Sequence, residues 1–151
     1  MFHCRNLFVI CLVGLLLGCN KSGLETYPVT GIITYQDQPV AGAHVGFIPQ
    51  GEDPKMKPAN GSSDEEGRYT LSVYISPDNQ PQGAMPGTYK VTVQKYEGPE
   101  LDQNVEYSES IQNPALMPKN ILPPIYANAK TTPLSREVTA GENELSFTLD
   151  E

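Results

Sequence analysis

"VTGIITYQDQPVAGAHVGFIP", residues Val29 to Pro49, holds two alternating runs on either side of a turn. In the first, Val29, Gly31, Ile33 and Tyr35 fall on one face, and Thr30, Ile32 and Thr34 on the other. In the second, Ala43, Val45 and Phe47 share a face opposite His44, Gly46 and Ile48. A β-strand sends successive side chains to opposite sides, so this spacing predicts two half-buried strands. Between them, "DQP" (Asp37–Pro39) supplies a carboxylate for local backbone bonds and a proline that cannot donate to a ladder.

The same period recurs downstream. "GRYTLSVYI" places Tyr69, Leu71, Val73 and Ile75 together, and "TYKVTVQKY" places Tyr89, Val91 and Val93 against Lys90, Thr92 and Gln94. "LSREV" and "ELSFTL" close the chain, with Leu145, Phe147 and Leu149 inward, and a weak run lies at Ala59–Ser63. "DEEG" (Asp64–Gly67) and "AGEN" (Ala140–Asn143) are turn-forming like "DQP", so three hairpins are expected. No run has a convincing helical period. The reading is all-β: about seven strands in an antiparallel Greek-key β-sandwich, spanning residues 27–151.

The stretch from Glu97 to Pro124, loop 97–124, breaks the pattern. It is long, polar and proline-dotted, and Leu101, Val105, Ser108 and Ile111 match a helical spacing poorly. Long loops in compact domains tend to be functional or disordered. Tyr107, Tyr126 and "NILPPIY" suggest that its end docks back on the sandwich.

Ahead of the strands, the apolar run from Leu7 to Gly18 follows a single cation, Arg5. A membrane-spanning helix needs about 20 apolar residues, whereas a signal-peptide core needs roughly 7–15. Residues 1–18 therefore read as an export signal. Its end, Leu16-Leu17-Gly18-Cys19, resembles a bacterial lipobox. That resemblance implies lipid on Cys19, a tether over residues 19–26 and loss of Cys4 and Cys11 with the signal. One acyl chain holds a protein only marginally, and several hold it stably. Asn20, rather than aspartate, after the cysteine points to the outer membrane over the inner.

Composition excludes whole classes of activity. The chain carries 10 Lys+Arg against 18 Asp+Glu, and losing Arg5 with the signal leaves a net charge of −9. Such a surface repels phosphate backbones, so no nucleic-acid partner is expected. The mature chain keeps one histidine, His44, on the outward face of its strand, and no second cysteine. Ser–His or Cys–His catalysis and a His/Cys zinc site therefore lack partners. The acidic turns lack the spacing of a calcium loop. No catalytic residue, metal or cofactor is assigned. Tyr96, Tyr107 and Tyr126 remain as candidate ligand or partner contacts, because rings near strand ends or in the long loop can stack on a sugar or pack at an interface.

The strand positions also resemble a known pattern: V-x-G-x-V, a turn, P-V-x-G-A-x-V-x-F, then T-D-x-x-G-x-Y-x-L and P-G-x-Y-x-V. Here these are Val29, Gly31, Ile33, Pro39, Val40, Gly42, Ala43, Val45, Phe47, Asp64, Gly67, Tyr69, Leu71, Pro86, Gly87, Tyr89 and Val91. Ser63 replaces the usual Thr, and Gln38 a usual turn Gly. The chain is similar to the carboxypeptidase regulatory-like, transthyretin-like family, over most of residues 28–149. The resemblance implies the sandwich fold and says little about activity; with the lipobox and the missing catalytic groups, the expectation is a lipid-anchored envelope protein whose domain is a structural or interaction module rather than an enzyme. Its partner would be the membrane through Cys19, with an envelope protein or polysaccharide beyond it. The alternatives are a carbohydrate-binding module at the cell surface and, behind it, a carboxylate-dependent hydrolase.

Overall fold

The computed structural model describes residues 24–51, 53–98 and 117–151. Residues 1–18, expected to be an export signal, lie outside these residues, as do Cys19 and Tyr107. Among the described residues there is no α-helix, only a 3-10 turn at Pro124–Ala127. The strands are β1 (Val29–Tyr35), β2 (Gln38–Pro39), β3 (His44–Pro49), β4 (Ala59–Ser62), β5 (Arg68–Thr70) and β6 (Ser72–Val73). They continue with β7 (Gly87–Gln94), β8 (Tyr96–Glu97), β9 (Lys119–Asn120), β10 (Ser135–Val138), β11 (Asn143–Glu144) and β12 (Phe147–Leu149). The domain is all-β.

Two five-stranded sheets face each other across one core. The first is centred on β1, with β5 and β2 antiparallel along one edge and β11 and β12 parallel along the other. The second runs β10-β7-β3-β4-β6, every neighbour antiparallel. β8 and β9 form a separate antiparallel ribbon. Val29, Ile33, Tyr69, Phe147 and Leu149 from the first sheet meet Val45, Phe47, Val73, Tyr89, Val91 and Val93 from the second, all buried. The Phe47 ring lies 5.7 Å from Tyr89, 6.2 Å from Phe147 and 6.5 Å from Tyr69, so it joins the two sheets. Losing a buried ring of this kind costs about 3–5 kcal/mol.

The three expected hairpins are mostly corners instead. Gln36 and Asp37, at φ 51° and 59°, make the two-residue turn from β1 to β2, the left-handed pair that tight hairpins favour. β2 is only two residues long, and Gly42 (φ 67°) then turns the chain into β3 in the other sheet. At "DEEG", Asp64 Oδ1 accepts from the amides of Glu66 and Arg68, and Gly67 (φ 74°) donates back to the Asp64 carbonyl. Beyond the Ser63–Tyr69 bridge, β4 and β5 part into opposite sheets. At "AGEN" the chain likewise leaves β10 for β11 across the sandwich. Buried Asn143 ties that corner, accepting from the Thr139 amide and donating to the carbonyls of Thr139, Gly141 and Pro28. Alternation marks which side chains face inward; it carries nothing about which sheet receives the next strand.

That last corner also corrects the expectation of a purely antiparallel sandwich. β10 ends with Val138 opposite Gly87, at the end of the molecule where β1 begins. The chain therefore re-enters beside Val29 and runs parallel to β1, in the register Val29↔Asn143 to Tyr35↔Leu149. Between β11 and β12 the ladder is interrupted, and the Ser146 hydroxyl replaces a carbonyl as acceptor for the Ile32 amide at 3.0 Å.

"GRYTLSVYI" is one inward face shared by two sheets. β5 pairs with β1 and β6 with β4, and the chain changes sheet at Leu71. Tyr69, Leu71 and Val73 stay buried throughout. Ile75, expected inside, is 44% exposed, because the chain has left the sheet for a projecting turn closed by the Ile75 and Ser76 amides on the Asn79 carbonyl.

Candidate interaction surface

β1 and β7 both run from one end of the sandwich to the other, and this gives the molecule two chemically distinct ends. At the first, Tyr27 bridges to Ala84, and the segment Leu24–Tyr27 lines a groove with Asp78–Gln82. At the second, the chain leaves β7 through Lys95 into the β8–β9 ribbon, beside Tyr35 and the β1–β2 turn. The seven residues of β1 put these ends about 20 Å apart.

The second end is where loop 97–124 departs and returns. Tyr96 pairs with Asn120 and Glu97 with Lys119, so the ribbon clamps both limbs. Asn120 secures it further, its Oδ1 accepting from the amides of Lys95 at 3.0 Å and Leu122 at 3.3 Å. Lys95 Nζ lies 2.9 Å from Glu97 Oε1; a surface pair of this kind adds well under about 1 kcal/mol. Gly98 faces the Pro118 ring closely enough that a Cβ would sit 3.3 Å from it. The described part of the loop is its base.

Apolar side chains are left open here. Tyr96 is 52% exposed, its hydroxyl donating to Gln94 Oε1 at 3.0 Å, and Met117, Ile121 and Ile125 are exposed as well. Ile121 joins Tyr35, Pro39 and Lys95 around a hollow of about 250 Å³. Such a rim of apolar and amphipathic groups suits a macromolecular contact better than a small ligand, which needs a concave site of roughly 300–1,000 Å³.

The candidate tyrosines part company. Tyr96 is on this surface and Tyr107 lies outside the described residues. Tyr126 is not on it: the residue is 6% exposed, its ring belongs to the core cluster, and its hydroxyl accepts from the Asp150 amide at 3.0 Å. With Leu122 it fills the side of the sandwich beyond β10, where Gln94 Nε2 donates to the Ala127 carbonyl and Thr132 Oγ1 to that of Val91. The end of the loop docks back as expected, and docking consumes the ring. Ile121 and Ile125 escaped the sequence reading because they sit in a proline-rich run with no alternation to mark an outward face. The one signal was a cluster of apolar residues without a period.

Elsewhere the polar groups are occupied. The phenols of Tyr69 and Tyr89 are pushed upward in pKa by burial, and each donates to a backbone carbonyl, of Leu145 and Met85 respectively. Tyr27 is raised by its hydrogen bond to Glu25. His44 is exposed beside Ser62, 3.3 Å from its hydroxyl. Among the described residues no three His, Cys, Asp or Glu side chains come together as a metal site, and no helix is long and apolar enough to cross a membrane. No family model, no curated protein and no solved structure matches the chain.

Proposed function

We propose that this is a lipid-anchored cell-envelope protein whose β-sandwich is a non-catalytic structural or interaction module. Its anchor is lipid on Cys19, and the outer membrane is the favoured address. The observation that carries this reading is the separation of the two ends. The chain enters the domain at Leu24, and the ribbon with its open apolar rim lies at the far end of β1. A domain tethered at the first end holds the second away from the bilayer, towards a partner.

The finer fold reading, a seven-stranded Greek-key sandwich of the transthyretin-like kind, belongs to the same proposal. It is supported by the pattern residues themselves: Phe47, Tyr69 and Tyr89 are buried, and Gly42 and Gly67 hold positive φ. The partner is an envelope protein or a polysaccharide; a net charge of −9 after loss of Arg5 argues against a nucleic acid.

Two experiments test the reading. Mass analysis of the mature protein is expected to find acyl chains on Cys19 as the first residue, and an unmodified soluble chain would overturn the anchor. In-cell photo-crosslinking from position 107 is expected to give one discrete protein adduct. A glycan-bearing adduct would instead make the domain a carbohydrate-binding module, although burial of Tyr126 removes one of the rings on which that alternative stood.

A further inference from the structure

The tether end of the domain carries an unusual pair. Tyr74 is 62% exposed and Ile75 44% exposed, side by side on the outgoing arm of a hairpin. The arms are joined by the Ser72–Gln82 bridge, the Val73 amide on the Pro81 carbonyl, and the Ser76–Asn79 bridge at the tip. The returning arm, Asp78–Gln82, lines the groove against Leu24–Tyr27. This projection therefore stands beside the point where the chain enters the domain.

We propose that the Tyr74–Ile75 hairpin is a second membrane contact, resting in the headgroup region of the bilayer that holds Cys19. The inference rests on the reading of Cys19 as lipid-bearing. Three observations support it. Leu24 is already packed against the core, so the free tether is the five-residue step from Cys19 to Leu24, which spans at most about 18 Å. That length keeps this end of the domain close to any bilayer that holds the lipid. An aliphatic residue and a tyrosine, one wholly apolar and one with a polar tip, form the pairing that suits the membrane–water boundary. Both side chains stand open to water beside Pro77 at a tight tip, as Tyr96 and Ile121 do at the ribbon end, but only this pair lies within reach of the anchor.

Charge narrows the lipid. Asp78 sits at the tip and Glu25 beside it on the segment Leu24–Tyr27, against one cation, Lys21, in the tether, so the local balance is acidic and a zwitterionic surface is the fitting one. The lipid on Cys19 supplies the affinity, and the hairpin sets which way the domain faces. A sandwich held at two points presents its ribbon end outward instead of swivelling about a single anchor.

The chain contains no tryptophan, so Tyr74→Trp introduces a single reporter at an exposed position where a larger ring meets no packing constraint. The lipidated variant is reconstituted into vesicles of zwitterionic phospholipid, plain or brominated near the headgroup end of the acyl chain. A ring held at the boundary is expected to lose emission about two-fold or more with the brominated lipid, and Tyr96→Trp at the other end to lose none. Vesicle flotation of the same samples reports anchoring separately. Flotation without quenching of the Tyr74→Trp ring would overturn the hairpin contact and leave the anchor standing. Equal quenching at both positions would overturn the orientation, and failure to float would remove anchor and contact together.

Discussion

The Tyr69 hydroxyl donates to the carbonyl of Leu145, closing the gap between the last two strand segments from within the core. Gly31 makes the approach possible: a Cβ there would stand 2.1 Å from the same carbonyl oxygen. Tyr69→Phe keeps the ring and loses only the donor, so unfolding in denaturant is expected to show a loss of about 1–2 kcal/mol. Gly31→Ala forces backbone apart from backbone and is expected to cost more, about 3 kcal/mol or above. Equal effects from the two substitutions would mean that the close approach is not what sets the register.

Asn143 is a buried amide whose hydrogen bonds close the corner into β11 and tie it to the Pro28 carbonyl. Asn143→Ala is expected to cost about 2–3 kcal/mol, since several backbone groups lose a partner at once. Asn143→Asp removes the donors and sets a carboxylate against three carbonyls, so it should be no better. Thermal unfolding of the three proteins at neutral pH checks the order.

Burial raises the pKa of Tyr69 and Tyr89 above the ordinary value of 10.0. The unfolded chain therefore releases these protons first as pH rises. The stability they contribute is fully present below that ordinary value and is lost above it. An alkaline titration followed by tyrosinate absorbance, compared between the wild type and the Tyr69→Phe and Tyr89→Phe variants, is expected to assign both phenols to ionisations above the ordinary value. Loss of an ionisation at the ordinary value in either variant would contradict the burial.

Tyr126 and Tyr96 are expected to separate stability from partner binding. Tyr126→Ala empties a core position and should cost about 3–5 kcal/mol, whereas exposed Tyr96→Ala should leave unfolding within about 0.5 kcal/mol. In cells, Tyr96→Ala is the variant expected to weaken crosslinking from position 107. A loss of that crosslink through Tyr126→Ala alone, at unchanged protein level, would move the contact surface to the wrong side of the domain.

The inward faces were legible because they follow one period: Val29 and Ile33, Val45 and Phe47, Tyr89 to Val93, Phe147 and Leu149 are all buried. Strand direction and sheet membership were not legible. The residues of β11 and β12 look the same whether their partner runs with them or against them, and Leu71 keeps its inward register while the chain changes sheet beneath it. Ile75 was misread for the same reason, since alternation continues past the point where the hydrogen bonds stop. Tyr126 was misread because a proline-rich segment can bury a ring without any period at all. At the candidate surface, the position of Tyr96 was legible, and the isoleucines around it were not.

The ribbon of Tyr96–Glu97 against Lys119–Asn120 has a corollary for sequence change. A segment whose two ends are already stapled can lengthen, shorten or change composition while the scaffold beneath keeps its own folding contacts. Doubling such an insert adds only about 0.6 kcal/mol of closure entropy. The frame therefore tolerates changes of length or composition between Gly98 and Met117 at little cost to its own folding, while Asn120 and its two amide partners hold the base.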